Sequence, residues 1–273
     1  MLTISKRLRT LMASALVVAG ALAAPDVFAT PQFTVNPDSN GLTTLGSTFT
    51  ADSMTGTSSA RIVRVGATNN YTGVGYIVFN AFSLNGNPVN SNVAQVNGSY
   101  GLYAKFTQSF TCGGPLAIGV SCGVTSITLS LYGDPGDADA VQNASLAANP
   151  IITDVGSNDV LLANVTQVFG SQAGLDALGG VFENVNTNLM LTAAGSNFFT
   201  SPIPFYQLAF SAFINTSQTP LCDTPNCTGN PSVVAITTES GTTDFNRVPE
   251  PGPLALMGIA MLGLIVARRR YRA

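Results

Sequence analysis

Hydrophobic and polar residues alternate with a period of two along much of the chain. In Ser126-Ile127-Thr128-Leu129-Ser130-Leu131-Tyr132 the aliphatic side chains fall on one face and mostly hydroxyls on the other. Leu102, Ala104 and Phe106 share a face, as do Tyr206, Leu208, Phe210, Ala212 and Ile214. Tyr76, Val78, Phe82 and Leu84 repeat the pattern, with Asn80 interrupting it. Successive side chains of a strand point to opposite faces, so this alternation marks half-buried antiparallel strands. Turn clusters such as Asn85-Gly86-Asn87-Pro88 and Gly133-Asp134-Pro135-Gly136 separate the runs. Many strands with turn-rich connections predict an all-β fold, an antiparallel, jelly-roll-like β-sandwich with short helices. One such helix is expected over 171–178, with Ser171 as N-cap and Gly179 ending it, and a weaker one over 139–148.

The two ends break this pattern. Lys6, Arg7 and Arg9 precede an apolar run over 11–24, and Val27-Phe28-Ala29 supplies small residues at the cleavage positions. That order is a secretory signal peptide, cut after Ala29, which calls for the Sec translocon and signal peptidase as partners. At the far end, Val248-Pro249-Glu250-Pro251 is followed by an apolar run over 254–267 and then by Arg268, Arg269, Arg270 and Arg272. Apolar-then-basic is a stop-transfer layout, a transmembrane helix with its arginines on the cytoplasmic face. A run of about 14 residues rises about 21 Å as a helix, short of a hydrocarbon core of roughly 30 Å. Flanking residues, snorkelling arginines or local thinning must supply the rest, so the inner membrane holds the chain only in transit. The chain is therefore expected to divide into a signal peptide (1–29), an exported domain (30–247) and a sorting and anchor segment (248–273).

Charge changes the picture once the ends are set aside. The net charge of −3 averages two basic ends with an exported domain that holds twelve acidic and four basic residues. A nucleic-acid partner is excluded by that balance. The chain has no His, which removes Ser-His-Asp and Cys-His catalysis and His-ligated zinc. A glycoside hydrolase needs only carboxylates, but the exported domain has just Glu183 and Glu239 as glutamates, and nothing in the sequence pairs them across a cleft. The expectation is a protein without catalytic residues and without a cofactor.

Three features carry candidate chemistry. Cys112, Cys122, Cys222 and Cys227 allow three disulfide pairings, which an oxidising compartment favours. The local pairings each close a loop containing Gly or Pro. Asp134, Asp137 and Asp139 place three carboxylates in six residues, a composition that suits calcium. Their spacing is not that of an EF-hand, and a solvated turn explains the same residues. Tyr71, Tyr76, Tyr100, Tyr103, Tyr132 and Tyr206 offer flat apolar faces on which sugars stack, although most are expected in the core.

The tail resembles the PEP-CTERM sorting domain: Pro249-Glu250-Pro251, the apolar stretch and the arginine cluster stand in its order. The resemblance implies recognition by an exosortase. Phe49-Thr50-Ala51-Asp52, Gly98-Ser99-Tyr100-Gly101-Leu102-Tyr103-Ala104, Leu191-Thr192-Ala193-Ala194-Gly195, the run from Pro204 to Phe213 and Asn215-Thr216-Ser217-Gln218 are similar to the flocculation-associated PEP-CTERM (PepA) family. The stretches 112–122 and 222–227 depart from it. Membership implies a surface or extracellular matrix protein that promotes flocculation or biofilm formation with exopolysaccharide. A carbohydrate-binding module is the alternative, and a secreted glycan-acting enzyme a more distant one.

Overall fold

Eight long strands carry the fold: β1 (Ser53–Arg64), β2 (Asn70–Leu84), β3 (Tyr100–Cys112), β4 (Ser121–Pro135), β5 (Val168–Leu175), β6 (Val181–Asn188), β7 (Leu208–Asn215) and β8 (Val233–Asn246). The structure, a computed structural model, describes residues 30–154, 156–215 and 220–246. The expected signal peptide with its cleavage residue Ala29, the expected sorting residues Val248 to Pro251, the expected transmembrane helix and the four tail arginines lie outside the described residues. Among the described residues no helix is long and apolar enough to cross a membrane.

Each long strand pairs antiparallel with the next, and β8 returns to pair with β1 along ten residue pairs from Val233↔Val63 to Asp244↔Ser53. The join between the two halves is Gln172↔Gly123, Ala173↔Cys122 and Gly174↔Ser121, from β5 to β4. The result is a closed, eight-stranded, up-and-down barrel. This corrects the expected jelly-roll-like sandwich. Alternation records that one face of each strand is buried; whether the sheet stacks or closes depends on tilt and stagger, which alternation does not encode.

The interior is apolar, and the strand faces follow from it. Leu102, Ala104 and Phe106 on β3 and Ile127, Leu129 and Leu131 on β4 point inward as expected, with Thr107, Thr128 and Ser130 outside. On β2, Ile77 and Phe79 join the core, whereas Tyr76 and Val78 pack outside the barrel. A register shift opposite Thr55/Gly56 then returns Phe82 to the core. The interrupting Asn80 is thus a bulge residue, which reverses the in–out parity of the strand. On β7 the predicted face is the outer one: Ala209 and Phe213 are buried inside, while Ile214 is 50% exposed.

Both expected helices are strands. Residues Val168–Leu175 belong to β5, and Ser171 is buried there, its Oγ accepting from Asn186 N at 2.8 Å. Gly179 has φ +86 in the β5–β6 turn, where Asp176 Oδ1 accepts from Leu178 N and Gly180 N. Ala140–Gln142 pairs with Ile151–Thr153 as a small hairpin. The real helices are α1 (Ser91–Ala94), capped by Asn90, and α2 (Ala193–Phe198), whose N-cap Thr192 Oγ1 accepts from Gly195 N. Each spans too few residues to show a helical period.

The barrel ends are closed differently. At one end a three-stranded sheet of Phe33–Val35, Phe49–Ala51 and Phe199–Ser201 covers the opening with aromatic rings. Phe33 meets Phe82, Phe199, Phe205 and Phe245 edge-on at 5.0–6.4 Å between centroids. At the other end Cys112–Cys122 ties β3 to β4, and Cys222–Cys227 closes the loop before β8. These are the local pairings among the three the sequence allows. Asn230 Oδ1 knits this end together, accepting from Leu116 N and the Tyr71 hydroxyl. A further strand, Val160–Val165, leaves the barrel and pairs with the second half of β4.

Candidate functional site

The outer faces of β2, β3 and β4 form the floor of a cleft, and the Ala140–Gln142/Ile151–Thr153 hairpin forms its wall. The cleft holds about 310 Å³ and is lined by Tyr76, Lys105, Thr107, Thr128, Ser130 and Ile151. Strand alternation places these hydroxyls outward, since their in-facing neighbours Phe106, Ile127 and Leu129 fill the core. Lys105 is the one lysine between residues 30 and 247. Its Nζ sits 5.2 Å from the Tyr103 ring centroid and 5.8 Å from that of Tyr132, a cation–π arrangement. The two rings stack at 5.3 Å. Tyr76 donates its hydroxyl to Asn143 Oδ1 at 2.5 Å, which pins the hairpin connection over the cleft. Val74, Pro150 and Ile152 complete the lining, so the open cleft joins hydroxyls and an ammonium to a mainly apolar surface.

The remaining tyrosines are structural. Tyr71 and Tyr100 are fully buried, and Tyr206 donates to Gln32 O at 2.7 Å from a buried position. Of the six, Tyr132 alone keeps substantial surface.

Beside the cleft the structure gathers an acidic corner. Asp134, Asp139 and Asp159 each place one carboxylate oxygen within 4.8 Å of the others. The third sequence candidate, Asp137, is not in this set; its Oδ1 would meet a Cβ on Gly101 at 2.9 Å. Asp159 escapes sequence reasoning because it lies twenty positions beyond Asp139. Only the pairing of Val160 with Gly133 brings it alongside. Tyr103 donates its hydroxyl to Asp159 Oδ2, linking the corner to the cleft. Burial raises the Tyr103 pKa, and that hydrogen bond and the nearby carboxylates raise it further. Burial also raises the carboxyls of Asp134, Asp137 and Asp159, and neighbouring carboxylates add to each shift.

Inside the barrel the structure pairs Glu183 and Glu239, which the sequence leaves unconnected. Glu239 is 1% exposed, and its Oε1 accepts from Ser58 Oγ at 2.5 Å. Glu183 Oε2 accepts from Gln108 Nε2 at 3.3 Å. Glu239 Oε2 and Gln108 Oε1 have no hydrogen-bond partner. Glu183 keeps some accessible surface but lies deep among protein atoms; it borders two internal cavities of about 40 and 30 Å³. Burial pushes both carboxyls well above the usual range, and the Glu239 charge pushes Glu183 further, with hydrogen bonds from Gln108 and Ser58 opposing. Cavities of this size admit a water but not a sugar, for which pockets of roughly 300 Å³ or more are the rule. The two cavities beside the pair are therefore too small to hold a sugar ring.

Residues 247–270, directly after β8, match the PEP-CTERM protein-sorting motif. The chain carries a PEP-CTERM sorting signal. A PEP-CTERM motif implies export, membrane-associated sorting and processing by an exosortase. The match covers the tail alone, and no curated protein and no solved structure matches the chain.

Proposed function

We propose that this PEP-CTERM protein is an adhesive component of the extracellular matrix, of the flocculation-associated PepA type. It promotes flocculation or biofilm formation by contact with exopolysaccharide. The sorting motif at 247–270 carries the reading, because such a motif implies export and sorting at the membrane. In this reading the Sec translocon and signal peptidase deliver the chain and cut after Ala29, the inner membrane holds it in transit, and the exosortase acts at Val248 to Pro251. The outer cleft supports contact with a sugar polymer: Thr107, Thr128 and Ser130 offer hydroxyls, and Lys105 offers a charge for acidic sugars. Many such weak contacts along a polymer add up through multivalency.

Deletion of the gene tests the role. Loss of flocs with polysaccharide synthesis intact is the expected result, and complementation with Lys105→Ala is expected to restore flocculation only in part. Unchanged flocculation in the deletion strain overturns the reading.

A further inference from the structure

We propose that Asp134, Asp139 and Asp159 form a divalent-cation site, with calcium as the fitting ion. The argument starts from spacing. Calcium takes oxygen ligands at about 2.3–2.6 Å, so oxygens around one ion lie within roughly 5 Å of each other. One oxygen from each of the three carboxylates meets that limit, at 4.8 Å or less. The second observation is a buried oxygen without a partner. Asp134 is 1% exposed; its Oδ2 accepts from Ala138 N at 2.8 Å and Asp139 N at 3.2 Å, while its Oδ1 has no hydrogen-bond partner. Asp159 repeats the arrangement, with Oδ2 taken by Tyr103 and Oδ1 buried and unpartnered. Each of these two side chains is therefore fixed through one oxygen and offers the other.

The crowding of the corner deepens the case: the three carboxylates stand together, with Asp137 close beside Asp134, and like charges repel. Leaving an acceptor buried without a partner is costly, and more so when it is charged. A divalent cation satisfies both oxygens and cancels the crowding at once. The backbone also holds the three residues in place without the ion. Asp134 is paired to Gly101 within the barrel wall, and Asp159 precedes a strand registered on β4. Asp139 follows a turn in which Gly136 and Asp137 both take positive φ. Three carboxylates, completed by water or backbone carbonyls, resemble the modest sites of extracellular modules, with an expected Kd of about 10⁻⁴–10⁻³ M. The inference does not rest on the adhesive reading: a calcium-binding barrel without a matrix role would satisfy it equally.

The test uses the full chain purified in detergent and stripped with chelator. Titration with calcium chloride is expected to give one site per chain in that affinity range, and a melting temperature that rises with calcium. Terbium, a luminescent calcium surrogate, is expected to emit on tyrosine excitation because Tyr103 touches Asp159. Asp159→Asn and Asp139→Asn should each weaken binding at least tenfold, remove the calcium-dependent part of the melting shift and quench the terbium signal. Wild-type protein that shows neither binding heat nor a melting shift up to about 10⁻² M calcium, ten times the weakest expected Kd, overturns the proposal. So does calcium binding that persists at wild-type strength in both variants, since the ion then sits elsewhere.

Discussion

Glu183 and Glu239 show how two side chains can bear on the solution behaviour of a whole barrel. Both carboxyls are raised by burial, so the folded state binds protons that the unfolded chain has already released. Their stabilising contribution is fully present below the ordinary carboxylate range and is lost as pH rises through neutrality. The melting temperature is therefore expected to fall between about pH 5 and pH 8. Asp244 is raised too and acts with the same sign. The double variant Glu183→Gln/Glu239→Gln should flatten the neutral part of the profile and melt higher than wild type at pH 8. A profile followed by circular dichroism that rises with pH, or that the double variant leaves unchanged, would count against this assignment. None of it is visible in the sequence, where the two glutamates are 56 positions apart. They meet because β6 and β8 are both neighbours of β7 and because Glu183 takes an inward place beside Val181 and Val185.

At the scale of elements, the strands were largely legible and their curvature was not. Period-two runs located β2, β3, β4 and β7, and the core faces of β3 and β4 follow from them directly. The errors share a cause. Ser171 followed by Gly179 has the chemistry of a helix N-cap and terminator, but the same residues serve a bulged strand and a hairpin turn when β4 and β6 offer hydrogen bonds on both sides. Tertiary pairing overrode local propensity there. On β7, apolar residues occupy the outer face, so hydrophobicity alone chose the wrong side. The calcium-like aspartates were two-thirds legible: Asp134 and Asp139 are near in sequence, but Asp159 arrives through strand pairing. The link between β3 and β4 offers an element-scale prediction. Cys112–Cys122 closes a ten-residue separation. The chain-entropy relation gives about 2–3 kcal/mol for a loop of that size. Cys112→Ser/Cys122→Ser should lose that much stability in urea unfolding, and a loss below about 0.5 kcal/mol would show that the strand pair holds without the covalent tie.

For the molecule as a whole, the governing feature is that the first and last barrel strands are partners. With β8 absent, β1 and β7 each expose an unpaired edge, and the apolar interior opens to solvent. A chain ended after Pro231 is expected to be degraded in limited proteolysis under conditions where a chain reaching Asn246 resists; equal resistance would mean that seven strands hold a core by themselves. The same closure bears on timing. β1 can pair with β2 as soon as both are present, but its other edge stays open until β8 arrives. The strand that completes it is the last one before the sorting motif begins at residue 247. The barrel therefore cannot shut until the residues just before the sorting motif are in place, so closure is the last step that the order of the chain permits.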